Sequence, residues 1–155
     1  MSVSIIKLRG VHVTNMKAKY VFTGKTKESI TGRLLHQIKA IRNLSSTHVK
    51  AGDVGGWIEK ESNLSHNGDC WVFPDAEVFD GASLSGNARI YDRVIVCGQA
   101  RVYDNAKIYG KARVYNQAIV RGNAQINGPV HIYGDTLVDG DAIFTQSIHG
   151  APMIL

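Results

Sequence analysis

Written six to a line, residues 76–147 read AEVFDG ASLSGN ARIYDR VIVCGQ ARVYDN AKIYGK ARVYNQ AIVRGN AQINGP VHIYGD TLVDGD AIFTQS. The first place in every line is small: Ala or Val, with Thr136 as the exception. The third place is a larger apolar residue, from Val78 in the first line to Phe144 in the last, and no insertion breaks the series. Upstream, Leu64 and Cys70-Trp71-Val72 keep the pattern less cleanly. Residues two apart on an extended chain point to the same side, so the small and the large residue both face inward. The fifth and sixth places hold pairs such as Asp80-Gly81, Gly86-Asn87, Asp104-Asn105 and Gly122-Asn123. Gly, Asn and Asp tolerate the positive φ of a tight corner. Three lines close a triangular coil of 18 residues, and successive coils stack as parallel strands about 4.8 Å apart. Residues 76–147 then supply about four coils, or roughly 19 Å of solenoid. A helix is excluded, because a period of six does not gather apolar residues on one helical face.

The 155-residue length fits one domain, and 44% hydrophobic with 20% charged residues is the balance of a folded chain. No apolar run approaches the roughly 18 residues of a spanning helix, so no membrane partner is expected. The start, MSVSIIKLRG, is too short in apolar residues for a signal-peptide core. Two cysteines, Cys70 and Cys97, make neither a disulfide framework nor a metal quartet. A cytoplasmic protein without a metal is the expectation.

Ahead of the repeat, residues 19–24 and 32–44 read as strands joined by the polar connector KTKESIT. Residues 49–73 are glycine-rich and carry both tryptophans, Trp57 and Trp71. An open solenoid end exposes an apolar cross-section and unpaired strand edges, so this segment is read as a cap with the tryptophans as lids. The expected division is a basic β-strand module over 1–50, a cap over 51–75, the repeat over 76–147 and a tail over 148–155. Charge follows it: residues 1–60 hold eleven Lys or Arg against three acids, whereas residues 76–147 hold seven of each. A basic head suits an anionic partner, or merely keeps the protein soluble.

The order large aliphatic, three variable residues, small, one variable residue, as in Val78 to Ser83, resembles the hexapeptide repeat of left-handed parallel β-helix proteins. The fold this implies is an all-β, left-handed parallel β-helix with an N-terminal β cap, well represented by trimeric acyltransferases. The hand comes from the resemblance and runs against the usual right-handed crossover. Further stretches resemble the YdcK-like hexapeptide-repeat proteins of enterobacteria and their short relatives in phage and prophage genomes. They are Lys19-Tyr20, Leu35 to Ile41, Ala51-Gly52, Gly55-Gly56-Trp57-Ile58 and Gly68 to Phe73. The longer relatives carry an acetyltransferase label; this chain is shorter and has an additional basic leader, residues 1–18.

The second and fourth places of each line face outward. The fourth holds Tyr91, Tyr103, Tyr109, Tyr115, Tyr133 and Arg121, and the second holds Arg89, Arg101, Lys107 and Arg113. Interleaved Tyr and Arg stack bases and contact phosphates, or form an oligomer interface, or simply brace neighbouring strands as ladders. Two functions stay open. The favoured one is a non-catalytic binding or scaffold module, a homotrimer needing no cofactor, whose partner is a host protein, nucleotide or nucleic acid. The phage resemblance extends this to a counter-defence role. The alternative is an acyltransferase with acetyl-CoA as donor; the resemblance implies a histidine base, and His131, an outward residue beside Tyr133, is the candidate. The related carbonic anhydrases need three histidines, and His131 with His149 leaves the third ligand missing. No long excursion interrupts the twelve lines to close a donor site.

Overall fold

A computed structural model describes residues 3–8, 11–146 and 148–149. The tail expected over 148–155 lies, beyond those two residues, outside them. Three parallel sheets wrap a triangular prism, as the period of six requires. The first face holds β5 (Val54–Ile58), β7 (Glu77–Val78), β10 (Ile95–Val96), β13 (Arg113–Val114), β16 (His131–Tyr133) and β19 (Ile148–His149). The second holds β8 (Ser83–Leu84), β11 (Arg101–Val102), β14 (Ile119–Val120) and β17 (Leu137–Val138). The third holds β6 (Trp71–Val72), β9 (Arg89–Ile90), β12 (Lys107–Ile108), β15 (Gln125–Ile126) and β18 (Ile143–Phe144). Register is one coil: Ile95 pairs with Glu77 on one side and Arg113 on the other, and Lys107 with Arg89 and Gln125. As far as Val138 the inward columns are fully buried, with Ala88, Ala106 and Ala124 stacked beneath Cys70 and with Ile90, Ile108 and Ile126 beneath Val72.

The corners carry the regularity. From residue 80 to residue 140 every sixth residue has positive φ: Asp80, Asp92, Asp104 and Asn116, with glycine at the seven others. Along one edge the order is Asp80, Gly98, Asn116, Gly134, and the alternation has a steric cause. A Cβ on Gly98 would lie 2.8 Å from the Asn116 nitrogen. The non-glycine corners turn the same proximity into a bond, since Gly98 N–H donates to Asp80 Oδ2 at 3.1 Å and Gly134 N–H to Asn116 Oδ1 at 3.1 Å. Along a second edge the sixth places form an amide ladder, Asn87, Asn105, Asn123 and Asp141, each Nδ2 donating to the next Oδ1 at 3.4, 3.3 and 2.9 Å.

The first coil departs from this rhythm. Leu64 bridges to Leu84, 20 residues on, whereas Trp71 pairs with Arg89, 18 on. Two extra residues therefore bulge from the corner at 65–69. Asn63, fully buried, secures the approach: its Oδ1 accepts from the Glu59 and Lys60 N–H groups, and its Nδ2 donates to the Asp80 and Ala82 carbonyls. The Gly-Gly of β5 has no room for a side chain. A Cβ on Gly55 would meet the Val72 carbonyl at 2.7 Å, and one on Gly56 the Ala76 carbonyl at 2.5 Å. Trp71 lies in the core, whereas Trp57 is only half-buried, with the Lys27 ammonium 4.8 Å above its ring.

Beyond β5 the first face continues as an antiparallel hairpin of β3 (Tyr20–Glu28) and β4 (Leu34–Ala40). The expected strand boundaries are corrected here. β3 runs on through most of the presumed connector by shifting register between Phe22 and Thr26, and β4 stops at Ala40, where Gly52 N–H takes the Ala40 carbonyl. A separate antiparallel pair, β1 (Val3–Leu8) and β2 (Val11–Lys17), forms its own sheet. No helix among the described residues is long and apolar enough to cross a membrane.

Gly98→Ala places a side chain at φ +65 against backbone and is expected to cost about 2–4 kcal/mol. Gly24→Ala, at φ +99 with nothing within 4 Å, should cost about 1–2 kcal/mol. Urea unfolding of the two variants side by side measures the difference; equal losses would mean that coil contact is not what selects glycine at the corner.

Candidate functional site

The hairpin turns back over the first face. Lys27 Nζ reaches Glu77 Oε2 at 2.8 Å, and Arg33 reaches Asp80 Oδ1 at 3.0 Å and Glu59 Oε2 at 3.6 Å. The turn between β3 and β4 is held by its own bonds. Ser29 N–H donates to the Arg33 carbonyl at 2.8 Å, and Ser29 Oγ accepts from the Thr31 and Arg33 N–H groups. At its tip Ile30 stays 67% exposed, an apolar side chain that the turn itself has no use for. It overhangs the outward column Glu77, Ile95, Arg113, His131, whose members sit in register on β7, β10, β13 and β16.

Under this overhang lies a cleft in two continuous parts. The charged part, about 430 Å³, is lined by Lys27, Asp75, Glu77, Arg93, Lys111 and Arg113. With Lys27 and Glu77 paired, three cations face a single remaining acid, Asp75. The apolar part, about 200 Å³, is lined by Cys97, Tyr115 and His131, and both parts share Ile30, Ile95 and Arg113. Tyr115 Oη and His131 Nδ1 are 3.3 Å apart, with the rings edge-to-face at 5.9 Å. Tyr133 stacks on Tyr115 at 5.2 Å. Burial, then the neighbouring Tyr133, holds the Tyr115 phenol above its ordinary value, so it stays protonated. Burial pushes the Cys97 thiol up to about 11, with the Asp80 and Glu77 carboxylates acting in the same direction and Arg113 opposing them.

The outward residues singled out from the sequence are distributed over all three faces. Arg113, Tyr115 and His131 come together in the cleft, with Tyr133 stacked on Tyr115. Tyr91 and Tyr109 stack at 4.8 Å on the third face, continuing from Phe73, alongside Arg89 and Lys107. There Arg89 Nη2 donates to the Ser46 carbonyl and ties down the cap. On the second face Arg121 joins Tyr103 Oη at 3.4 Å to Asp139 at 2.9 Å, and Arg101 is exposed nearby. Phe79, placed outward by the pattern, is fully buried beside Asp80, the anchor of Arg33. The repeat alone missed Lys27, Ile30, Arg93 and Lys111. Ile30 was the available signal, the lone apolar residue in a polar connector. Among the described residues no group of three or more His, Cys, Asp or Glu is placed to hold a metal ion.

A thiol at about 11 carries little thiolate near neutrality. Alkylation of Cys97 by iodoacetamide should be on the order of 100-fold slower than that of free cysteine at pH 8. Its rate should keep rising with pH beyond the point where free cysteine levels off. A plateau below pH 9.5 would contradict the assigned environment.

No family model matches the chain. A stretch of 57 residues is 46% identical to the protein described as "Uncharacterized acetyltransferase YdcK" of Escherichia coli (strain K12). It spans 36% of this chain and 17% of that relative. With this stretch of identity and a solenoid of about five turns built on a six-residue period, the chain resembles the YdcK-like hexapeptide-repeat proteins.

Proposed function

We propose that the chain transfers an acyl group from a phosphate-bearing thioester, of which acetyl-CoA is the simplest, to an acceptor hydroxyl or amine. The observation that carries this reading is the union of a cationic and an apolar compartment in one cleft with His131 at its end. The acetyltransferase description of the relative that shares part of the chain supports it. Arg93, Lys111 and Arg113 are the groups for the donor's phosphates, since guanidinium forks and an ammonium match phosphate oxygens. In the tautomer in which Nδ1–H donates to Tyr115 Oη, the basic lone pair of His131 is on Nε2. In the reaction the acceptor's proton passes to Nε2 as its oxygen or nitrogen attacks the thioester carbonyl. The C–S bond then breaks, and the proton leaves with the thiolate. Ile30 overhangs the apolar part and Ile95 forms its floor.

A second reading, the non-catalytic scaffold, is favoured by one observation: the stacked ladder of Phe73, Tyr91 and Tyr109 bordered by Arg89 and Lys107. Such a surface suits a host protein or single-stranded nucleic acid.

The test is turnover of acetyl-CoA with a panel of amines and sugars, beside thermal shift with acetyl-CoA and light scattering for the expected trimer. Under the acyltransferase reading acetyl-CoA raises Tm, and His131→Ala lowers kcat about 10²–10⁴-fold. Arg113→Gln then weakens donor binding chiefly through KM. Turnover unchanged in His131→Ala would remove the base assignment. No response to acetyl-CoA, together with oligonucleotide binding that weakens steeply with salt, would favour the scaffold.

A further inference from the structure

The first coil contains a buried amine and a buried thiol in contact. Lys19 and Cys70, 51 residues apart, are both fully buried, and Nζ lies 3.1 Å from Sγ. The lysine precedes β3, and the cysteine fills the small-residue slot beneath the two-residue bulge at 65–69. Its neighbours specify the proton inventory. Nζ contacts the Cys70 carbonyl at 2.7 Å and the Gly68 carbonyl at 3.3 Å. Nζ is placed as donor to Sγ; in the neutral pair the amine gives two N–H donors to these carbonyls and the S–H turns toward its lone pair. Sγ in turn is surrounded by acceptors, the Ser65 and Leu84 carbonyls at 3.6 and 3.7 Å, which favour S–H over thiolate. Burial acts on both groups in the matching sense, lowering Lys19 and raising Cys70. An uncharged pair avoids the cost of two buried ions.

We propose that Lys19 and Cys70 are a redox modification site, which hydrogen peroxide converts into a covalent S–N (sulfenamide) crosslink between Sγ and Nζ. The amine first takes the thiol proton. The thiolate attacks a peroxide oxygen, so that an S–O bond forms and the O–O bond breaks, and hydroxide leaves. Sulfur is oxidised by two electrons to the sulfenic acid, and the peroxide is reduced. Hydroxide recovers the ammonium proton as water. The neutral amine then attacks sulfur, forming S–N and expelling the sulfenic oxygen as a second water. The sum is one thiol, one amine and one peroxide giving one sulfenamide and two waters. Both groups are fully buried, so a small oxidant enters by local opening of the corner at 65–69, where Asn67 and Gly68 are exposed. The neighbouring amine diverts the sulfenic acid from further oxidation. The product staples the hairpin's first strand to the first coil, and a cellular thiol reverses it by attacking sulfur.

The experiment uses the full chain carrying Cys97→Ser, which removes a disulfide within the chain, treated with hydrogen peroxide and then mapped by mass spectrometry. The expected product is about 2 Da lighter than the untreated chain. It yields a peptide pair joining residue 19 to residue 70, has a higher Tm, and is restored by dithiothreitol. Lys19→Met, which removes both the base and the amine nucleophile, should lose the mass change and leave Cys70 as a free thiol. If that variant does not fold, the mapped peptide pair in the Lys19 protein decides alone. Cys70 recovered there as free thiol, or as sulfinic acid with Lys19 unlinked, would overturn the proposal. Acetyl-CoA turnover reads a different region, so neither result bears on the other.

Discussion

A backbone turn into the left-handed region at every sixth residue is the constraint on which this molecule is built. Each such turn redirects the chain to the next face, and eleven in succession from Asp80 to Gly140 leave strands of only two or three residues between them. Strands that short have little stability alone, so their hydrogen bonds must come from the coils above and below. Tyr91 N–H donates to the Ile108 carbonyl and Arg101 N–H to the Ala118 carbonyl, and the pattern repeats along the prism. Close stacking in turn forbids side chains at alternate corners, which is why Asp or Asn alternates with Gly along the edge from Asp80 to Gly134. The side chain of one coil becomes the hydrogen-bond partner of the next.

The N-terminal segment solves the problem that this regularity creates. A stack of parallel strands ends in an open edge, and β5 meets it by pairing parallel to β7 on one side and antiparallel to β4 on the other. The change of direction brings in a hairpin, and a hairpin, unlike a coil, is free to bend back. Lys27 and Arg33 fasten it to Glu77, Glu59 and Asp80. The cleft is therefore a by-product of capping, in which a turn anchored by ion pairs hangs over a column of outward residues.

The repeat was legible because its information is local and periodic. Small and large inward residues, and corners of Gly, Asp and Asn, recur at fixed spacing and need no knowledge of distant contacts. The resemblance to YdcK-like proteins was legible in the same way, from Gly55-Gly56-Trp57-Ile58 and Cys70-Trp71, whose glycines prove to be required by the backbone of Val72 and Ala76. The cleft was not legible. It depends on where Ile30 and Lys27 come to rest, and that follows from a register shift within β3 and from ion pairs to residues about 50 positions away. His131 was visible as an outward residue beside Tyr133, but its contact with Tyr115 comes from the neighbouring coil. Cys70 was visible as an inward residue of the small-residue column. What the sequence concealed was a lysine inserted from outside the repeat into the space left by the extra residues at 65–69.

The one-coil register of the stack has a consequence for how such a chain can change. Removing a whole coil leaves every remaining outward side chain on the face it already occupies, merely one rung closer to the cap. Removing a single line of six rotates everything downstream by a third of a turn, and would carry Arg113 and His131 to a different wall from the overhanging Ile30. The distance from the clasp to any group on the prism is thus quantised, and lineages can lengthen or shorten the shaft without dismantling the cleft only in whole revolutions.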